Sequence, residues 1–152
     1  MSGARLAYVN ILARDIEALS AFYRETFGFA EITGHRSPIY RCLDAGGMEL
    51  GFNAPTAYGL LGLDDRRPGE ATPPAVAYFT FELPSREAVE ACVATALAQG
   101  GRLRKGPYLT YYNAWQAVME DPEGNVFRLN FRIGPRQPAD EVDGPWNAAP
   151  PA

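Results

Sequence analysis

The chain has 152 residues, 47% of them hydrophobic and 21% charged, which predicts an ordinary globular protein with one domain, or two small halves sharing a core. Fourteen Lys and Arg against 18 Asp and Glu give a net charge of −4, which argues against nucleic acid and anionic membranes as partners. The single histidine, His35, argues against most zinc hydrolases and Ser-His-Asp enzymes, because those need imidazole groups as ligands or bases.

The two cysteines, Cys42 and Cys92, lack the spacing of a metal motif, and the first five residues are too short and polar for a secretory leader. We therefore expect a cytoplasmic protein with reduced, buried packing cysteines.

The first half of the chain predicts one β-α-β-β-β unit. Asp15 is the expected N-cap of a helix whose apolar stripe ends near Phe27, and Gly28 can take the left-handed conformation after it. Gly46 and Gly47 predict a tight hairpin turn. The strands are predicted at residues 5–13, 29–35, 39–45 and 48–53.

A stretch rich in Pro, Gly, Asp and Arg, residues 54–74, reads as a connection. A second unit follows, in which Ser85 opens a helix that Gly100 and Gly101 end. Its strands are predicted at residues 75–83, 102–110, 114–120 and 125–133. The Asp-Pro-Glu-Gly turn at 121–124 joins the last two strands, and its carboxylates are explained by turn geometry. Residues 134–152 form a Pro-rich tail without periodicity.

Matching residues near the start of the two units are separated by the same number of residues. Tyr8 and Tyr78 are 70 residues apart, as are Asp15 and Ser85. The shared order of elements favours a structural duplication. The sequence thus predicts an α+β fold with two tandem β-α-β-β-β modules, residues 5–53 and 75–133, in one domain that curves into a half-barrel cup.

Side chains alternate across a strand, so each predicted strand has two faces. One face is wholly apolar in four strands and is expected to pack against the helices. The opposite face mixes tyrosines, amides, small residues and a few charges, which is typical of a concave ligand-binding surface. A polar outer face that binds nothing is the alternative. The polar-face residues that we select as candidate ligand-binding residues are Tyr8, Asn10, Glu49, Tyr78, Arg128 and Asn130.

Four aromatic residues crowd one segment of the second module and could grip a flat ligand, or serve as core and dimer contacts. They are Tyr108, Tyr111, Tyr112 and Trp115. We add Tyr112 and Trp115 to the candidate ligand-binding residues. His35 lies near a predicted turn and is expected to be solvated rather than a ligand or base.

Three segments in this order resemble the glyoxalase/bleomycin-resistance/extradiol-dioxygenase, or vicinal oxygen chelate, superfamily. They are NILARDIEALSAFYRETFGF at 10–29, MELGFN at 48–53 and DPEGNVFRLN at 121–130. The resemblance covers nearly the whole chain apart from the tail. It implies the paired-module fold and commonly a homodimer in which a second chain encloses the cup.

In metal-dependent members of that superfamily, the resemblance implies a divalent cation held by the first, fourth, fifth and eighth strands. Those positions are Tyr8, Glu49, Tyr78 and Arg128 here. Only Glu49 is an ordinary ligand, and Arg128 stands where a carboxylate is expected. At about 4 Å a guanidinium would repel each unit of cation charge by roughly 4 kcal/mol at an effective dielectric of 20. We therefore expect no metal and no cofactor, with Arg128 either paired to Glu49 or available to an anionic ligand.

Two classes of function remain open. The first is a metal-free protein that binds a small aromatic or anionic organic molecule, as the bleomycin-resistance branch does. The second is an enzyme: a metal-dependent lyase or dioxygenase of the glyoxalase type, or a metal-free proton-transfer catalyst with Tyr8 or Tyr78 as acid and Glu49 as base. The binding protein is favoured, because pairing with Arg128 would weaken Glu49 as a base.

Overall fold

The structure is a computed structural model that describes residues 3–147. Its strands are β1 (Tyr8–Leu12), β2 (Ala30–Glu31), β3 (Tyr40–Asp44), β4 (Glu49–Asn53), β5 (Phe79–Glu82), β6 (Arg102–Leu109), β7 (Ala114–Glu120) and β8 (Val126–Arg132). Its helices are α1 (Ile16–Phe27), α2 (Thr56–Leu60) and α3 (Arg86–Ala98). None of the helices in this part of the chain is long and apolar enough to cross a membrane.

The strands form two four-stranded sheets with the same topology. The first sheet has the order β1-β4-β3-β2 and the second the order β5-β8-β7-β6. In each, the first strand of the module runs parallel to the last, and the other neighbours are antiparallel. The α+β fold with two β-α-β-β-β modules is therefore confirmed, and the sheets stay open, consistent with a curved cup.

The helix boundaries follow from the predicted caps. The Asp15 carboxylate accepts hydrogen bonds from the backbone N–H groups of Glu17 and Ala18 at the start of α1. Gly28 ends that helix with a φ of 71°, a conformation that glycine adopts without steric cost. Ser85 accepts from the Ala88 N–H at the start of α3. Both modules therefore begin their helix in the same way.

One hydrophobic core joins both sheets and the two long helices. The predicted apolar strand faces contribute to it, with Ile11, Phe52 and Phe127 nearly fully buried. Helix α1 contacts the other module directly: the rings of Phe27 and Phe81 have centroids 4.1 Å apart. Because α1 packs on both sheets, each module is stabilised by contacts with the other.

The turn between β7 and β8 is a structural element, as predicted. Asp121 is fully buried, and its carboxylate accepts hydrogen bonds from the Tyr23 hydroxyl at 2.8 Å and the Asn125 backbone N–H at 3.0 Å. Glu123 accepts from the backbone N–H groups of Arg14 and Asp15. The turn of the second module thus holds the start of the helix of the first.

Two strands differ most from their predicted lengths. The second strand, expected at 29–35, stops at Glu31, because residues 33–35 form a 3₁₀ turn that the Glu31–Arg36 ion pair, 2.6 Å long, closes. The fifth strand, expected from residue 75, begins at Phe79, which pairs with Phe127 near the start of β8. Tyr78 therefore lies one residue before β5.

The connection and the tail contain short turns. The connection at 54–74, expected to lack periodicity, holds the short helix α2 and a 3₁₀ turn at 64–66. In the tail, residues 139–141 and 145–147 form 3₁₀ turns, and the Trp146 ring packs edge-on against Tyr111 at 5.3 Å between centroids. The described part of the tail thus contacts its own second module. Residues 148–152 lie outside the described residues.

Candidate functional site

The polar side of the first sheet, here called the first polar face, gathers three chemically active groups. On β4, Glu49 lies directly opposite Tyr8 of β1 in the parallel register. One Glu49 carboxylate oxygen, Oε2, lies 3.4 Å from the Cys42 sulfur, which donates to it, and 3.7 Å from the His35 Nδ1 atom. The thiol, the imidazole and the carboxylate all lie within 4.8 Å of one another.

Cys42 belongs to this polar face and not to the core. In the antiparallel register it lies opposite Gly51, so both project to the same side of the sheet. It is fully buried, and it forms no part of the core cluster. Burial raises the pKa of the Cys42 thiol, and the hydrogen bond to Glu49 raises it further, whereas a hydrogen bond from Tyr40 lowers it.

The remaining candidate on this face, Asn10, lies beside Gly51. Its Oδ1 atom accepts a hydrogen bond of 3.2 Å from the Asn53 amide. A Cβ atom at residue 51 would overlap that oxygen and would lie 2.6 Å from the Tyr40 hydroxyl. Glycine at 51 therefore gives the Asn10 and Tyr40 side chains the room that they occupy.

The polar side of the second sheet, here called the second polar face, is built around Arg128. Its Nε donates to the Thr80 hydroxyl at 2.9 Å, and its Nη1 donates to the Tyr112 hydroxyl at 3.3 Å. Its guanidinium carbon lies 4.7 Å from the centre of the Tyr78 ring. Polar and aromatic contacts on several sides therefore fix the guanidinium group in place.

Gln116, which the sequence analysis did not select, anchors this arrangement. Its side chain is buried, its Oε1 atom accepts from the Tyr112 hydroxyl and lies 3.5 Å from Arg128 Nη1, and its amide donates to Tyr108 at 2.9 Å. The register places Gln116 opposite Asn130. Strand alternation could have found it, since it shares parity with Val118 and Glu120 rather than with the core residues of β7.

Trp115, one of the candidate ligand-binding residues, lies on the other side of the sheet from the second polar face. It pairs with Phe131 and packs against the core, while Arg86 stacks over its ring at 4.0 Å. Because neighbours along a strand point to opposite sides, Trp115 and Gln116 face apart. Of the crowded aromatics, Tyr108 and Tyr112 contact Gln116.

A cavity of about 330 Å³ opens on the second polar face. It is lined by Tyr78, Thr80, Glu82, Tyr111, Tyr112, Arg128, Asn130, Arg132 and Arg136. Its one carboxylate, Glu82, already accepts from the Asn130 amide at 2.5 Å and from the Arg132 backbone N–H at 2.7 Å. Among residues 3–147, none of the three guanidinium groups has a carboxylate oxygen within 4.0 Å.

The predicted pairing of Glu49 with Arg128 is not present within the described residues. Glu49 contacts Cys42 and His35, whereas Arg128 contacts Thr80 and Tyr112. The sequence predicts a packing role for Cys42 and a solvated side chain for His35. Their convergence on Glu49 was missed because His35 was placed at the end of a strand, and the structure turns the chain there.

The four positions that the resemblance implies for a metal ion do not fit one in this chain. Arg128 brings a permanent positive charge to that position and is held there by four side chains. Tyr8 and Tyr78 offer phenols, both about half exposed, which are poor ligands for a divalent cation unless deprotonated. Glu49 alone is an ordinary ligand.

Residues 5–129 match the family model of the Glyoxalase/Bleomycin resistance protein/Dioxygenase superfamily. A crystal structure of a glyoxalase/bleomycin resistance protein/dioxygenase family enzyme from Burkholderia phytofirmans PsJN is 48% identical, covers 86% of this chain and 100% of its own, and has a TM-score of 0.80. No curated protein matches the chain.

More distant solved structures share the fold. A glyoxalase-related enzyme from Fulvimarina pelagi is 20% identical, with 91% of this chain and 96% of the other covered and a TM-score of 0.71. A lactoylglutathione lyase from Agrobacterium tumefaciens is 17% identical, with 86% and 95% covered and a TM-score of 0.64.

Proposed function

Because the chain belongs to the glyoxalase/bleomycin resistance protein/dioxygenase superfamily, we propose that it binds a small aromatic anion on its second polar face, without a metal ion at the superfamily's metal position. One observation carries the proposal: three arginines line one cavity, and none of their guanidinium groups has an ion-pair partner among residues 3–147. In a chain of net charge −4, this is a local concentration of positive charge.

Arg128 is the group that would hold the anion. Its Nε and Nη1 atoms are used by Thr80, Tyr112 and Gln116, while its Nη2 atom has no hydrogen-bond partner in the described chain. A guanidinium whose orientation is already fixed binds a carboxylate or phosphate with a small loss of side-chain entropy. The Arg128 guanidinium is therefore already oriented to bind the negative charge of the ligand.

The tyrosines around the cavity supply the aromatic part of the proposal. Tyr78, Tyr111 and Tyr112 line it, and Tyr78 and Tyr111 are each about half exposed. Aromatic side chains stack on flat ligands and lose few rotamers in doing so. A ring that carries an acidic group matches both the tyrosines and the arginines.

The test uses matched acids and amides. We expect benzoate and 2-naphthoate to raise the Tm of the untagged protein. The ligand adds RT ln(1 + [L]/Kd) to the free energy of unfolding, which is about 2.7 kcal/mol at a ligand concentration of 100 times Kd. We expect benzamide and 2-naphthamide, which have the same rings without the charge, to leave it unchanged.

Arg128→Met keeps the aliphatic stem and removes the charge, so it is expected to abolish the shift. Arg102→Met is the control, because Arg102 lies on β6 and pairs with Glu120. Equal shifts from acids and amides, or an unchanged shift in Arg128→Met, would contradict the proposal.

An enzymatic function is the second candidate. The 48% identical Burkholderia protein is named a family enzyme, and the Agrobacterium protein with the same fold is named a lactoylglutathione lyase. An assay with lactoylglutathione separates the two functions. Measurable turnover by this chain that disappears in Glu49→Gln would favour the enzyme over the binding protein.

We also propose a homodimer. Several apolar side chains are strongly exposed: Leu6 at 67%, Val76 at 90% and Leu109 at 57%. Burying such residues in an interface is favourable. Analytical ultracentrifugation is expected to show a dimer, and a monomer at all concentrations would contradict this. A chain ending at Gly134 tests whether the tail takes part, since an unchanged dimer would exclude it.

A further inference from the structure

The first polar face carries a second set of ligand-forming side chains that the proposed function does not use. His35 comes from the 3₁₀ turn after β2, Cys42 from the middle of β3 and Glu49 from the start of β4. Three separate segments thus bring a nitrogen, a sulfur and an oxygen ligand to one point, with all three atoms within 4.8 Å of one another.

We propose that His35, Cys42 and Glu49 bind a divalent cation that accepts thiolate, imidazole and carboxylate ligands together, as Zn²⁺ does. Such ions bond to nitrogen and oxygen at about 2.0–2.2 Å and to sulfur at about 2.3 Å in tetrahedral geometry. Ligand atoms around one ion then lie roughly 3.3–3.7 Å apart. The Glu49 oxygen lies 3.4 Å from the sulfur and 3.7 Å from the His35 nitrogen.

The exposure of the three groups defines a path for the ion. Cys42 is fully buried at the bottom of the group, whereas the side chains of Glu49 and His35 are 27% and 48% exposed. An ion enters from the side of His35 and replaces the thiol proton, which now lies between Cys42 and Glu49 and leaves to solvent. Three protein ligands leave a fourth tetrahedral position, on the exposed side, for water or a small ligand.

Tyr40 lies next to this group of ligands. Its hydroxyl occupies the space that a side chain at residue 51 would fill, and Gly51 lies opposite Cys42 in the strand register. A hydroxyl that donates to a metal-bound thiolate offsets part of its negative charge and fixes its direction. Gly51 is therefore part of the site, since alanine there would displace Tyr40.

This site has a different set of ligands from the superfamily's metal position. The two share Glu49 and no other residue: Tyr8, Tyr78 and Arg128 are not needed here. It is also separate from the anion cavity of the second polar face. Failure of one proposal therefore leaves the other standing, and the variants below distinguish them.

The experiment titrates the untagged, reduced, chelator-treated protein with Zn²⁺ by calorimetry and with Co²⁺ by absorption spectroscopy. We expect one ion per chain and a thiolate-to-Co²⁺ charge-transfer band. Cys42→Ser is expected to remove the band and to weaken binding by about tenfold or more. His35→Asn and Glu49→Gln are expected to weaken binding by a similar factor. Circular dichroism of each variant checks that it is folded.

Cys92→Ser is the matched control, because Cys92 is the other buried free cysteine and lies on α3. It is expected to keep both the band and the affinity, as are Tyr78→Phe and Arg128→Met. The proposal is overturned if the intact protein binds neither ion. It is equally overturned if Cys42→Ser keeps the band, or if binding needs Tyr78 and Glu49 but not His35 and Cys42.

Discussion

The two modules share a backbone plan and differ in the chemistry of their polar faces. Both begin a helix on a capping side chain and end in a strand that runs parallel to the first. The first face collects an acid, a thiol and an imidazole, and the second collects arginines and tyrosines. Fold stability rests on the shared core, so the polar faces can differ in chemistry without loss of the fold.

The largest expected difference between the modules lies in their last turns. Asp121 is fully buried and accepts hydrogen bonds from Tyr23, Glu123 and Asn125. Asp44, which precedes the Gly46-Gly47 turn of the first module, is exposed and accepts from the Gly46 N–H. Asp121→Ala leaves several buried donors without an acceptor and is expected to lower the free energy of unfolding by about 3 kcal/mol, against less than about 1 kcal/mol for Asp44→Ala.

Urea unfolding of both variants measures this difference. Equal losses would show that the turns are equivalent and that the burial of Asp121 contributes nothing.

The helix caps are expected to differ less. Asp15 accepts from two backbone N–H groups and carries a charge at the positive end of α1, whereas Ser85 accepts from one at the start of α3. Asp15→Ala is expected to cost about 1.5 kcal/mol and Ser85→Ala about 1 kcal/mol. Thermal unfolding checks the order, with Asp15→Asn as a control for the charge. A larger loss for Ser85→Ala would reverse the comparison.

The smallest expected effect is a difference in pH dependence. The hydrogen bond and charge of Arg36 lower the pKa of Glu31, so its contribution to stability is present above its unfolded pKa and is lost as pH falls through its folded pKa. Burial raises the pKa of Asp121, so its contribution has the opposite sign: stability is lost as pH rises from the unfolded to the folded pKa.

Stability measured from about pH 3 to pH 6 is therefore expected to rise less steeply in Glu31→Gln and more steeply in Asp121→Asn than in the unmodified chain. Slopes that change in the same direction in both variants would contradict the assignment.

Sequence patterns predicted the fold well because local rules determined it. The caps Asp15 and Ser85 and the left-handed Gly28 act within a few residues, and strand alternation placed the apolar faces in the core. The strand ends were less predictable. Residues 75–78 have an extended sequence context, but β5 begins only at Phe79.

The candidate sites depended on contacts between distant segments, and these were partly missed. Trp115 was grouped with nearby tyrosines, although alternation along β7 assigns it to the core face with Ala117 and Met119. Cys42 could have been placed on the polar face from the hairpin register across Gly46 and Gly47. His35 could not, because the 3₁₀ turn that brings it to Glu49 leaves no clear signal in one sequence.

The contacts of α1 with the second sheet have a consequence for the chain cut into pieces. The Phe27 ring contacts the Phe81 ring, the Tyr23 hydroxyl donates a hydrogen bond to Asp121, and Glu123 accepts a backbone hydrogen bond just before α1. An N-terminal fragment that ends in the connection would therefore expose a large apolar surface, so it would aggregate or remain unfolded on its own. If the two fragments are produced together, they would associate and form the shared core, since few of the core residues lie in the connection.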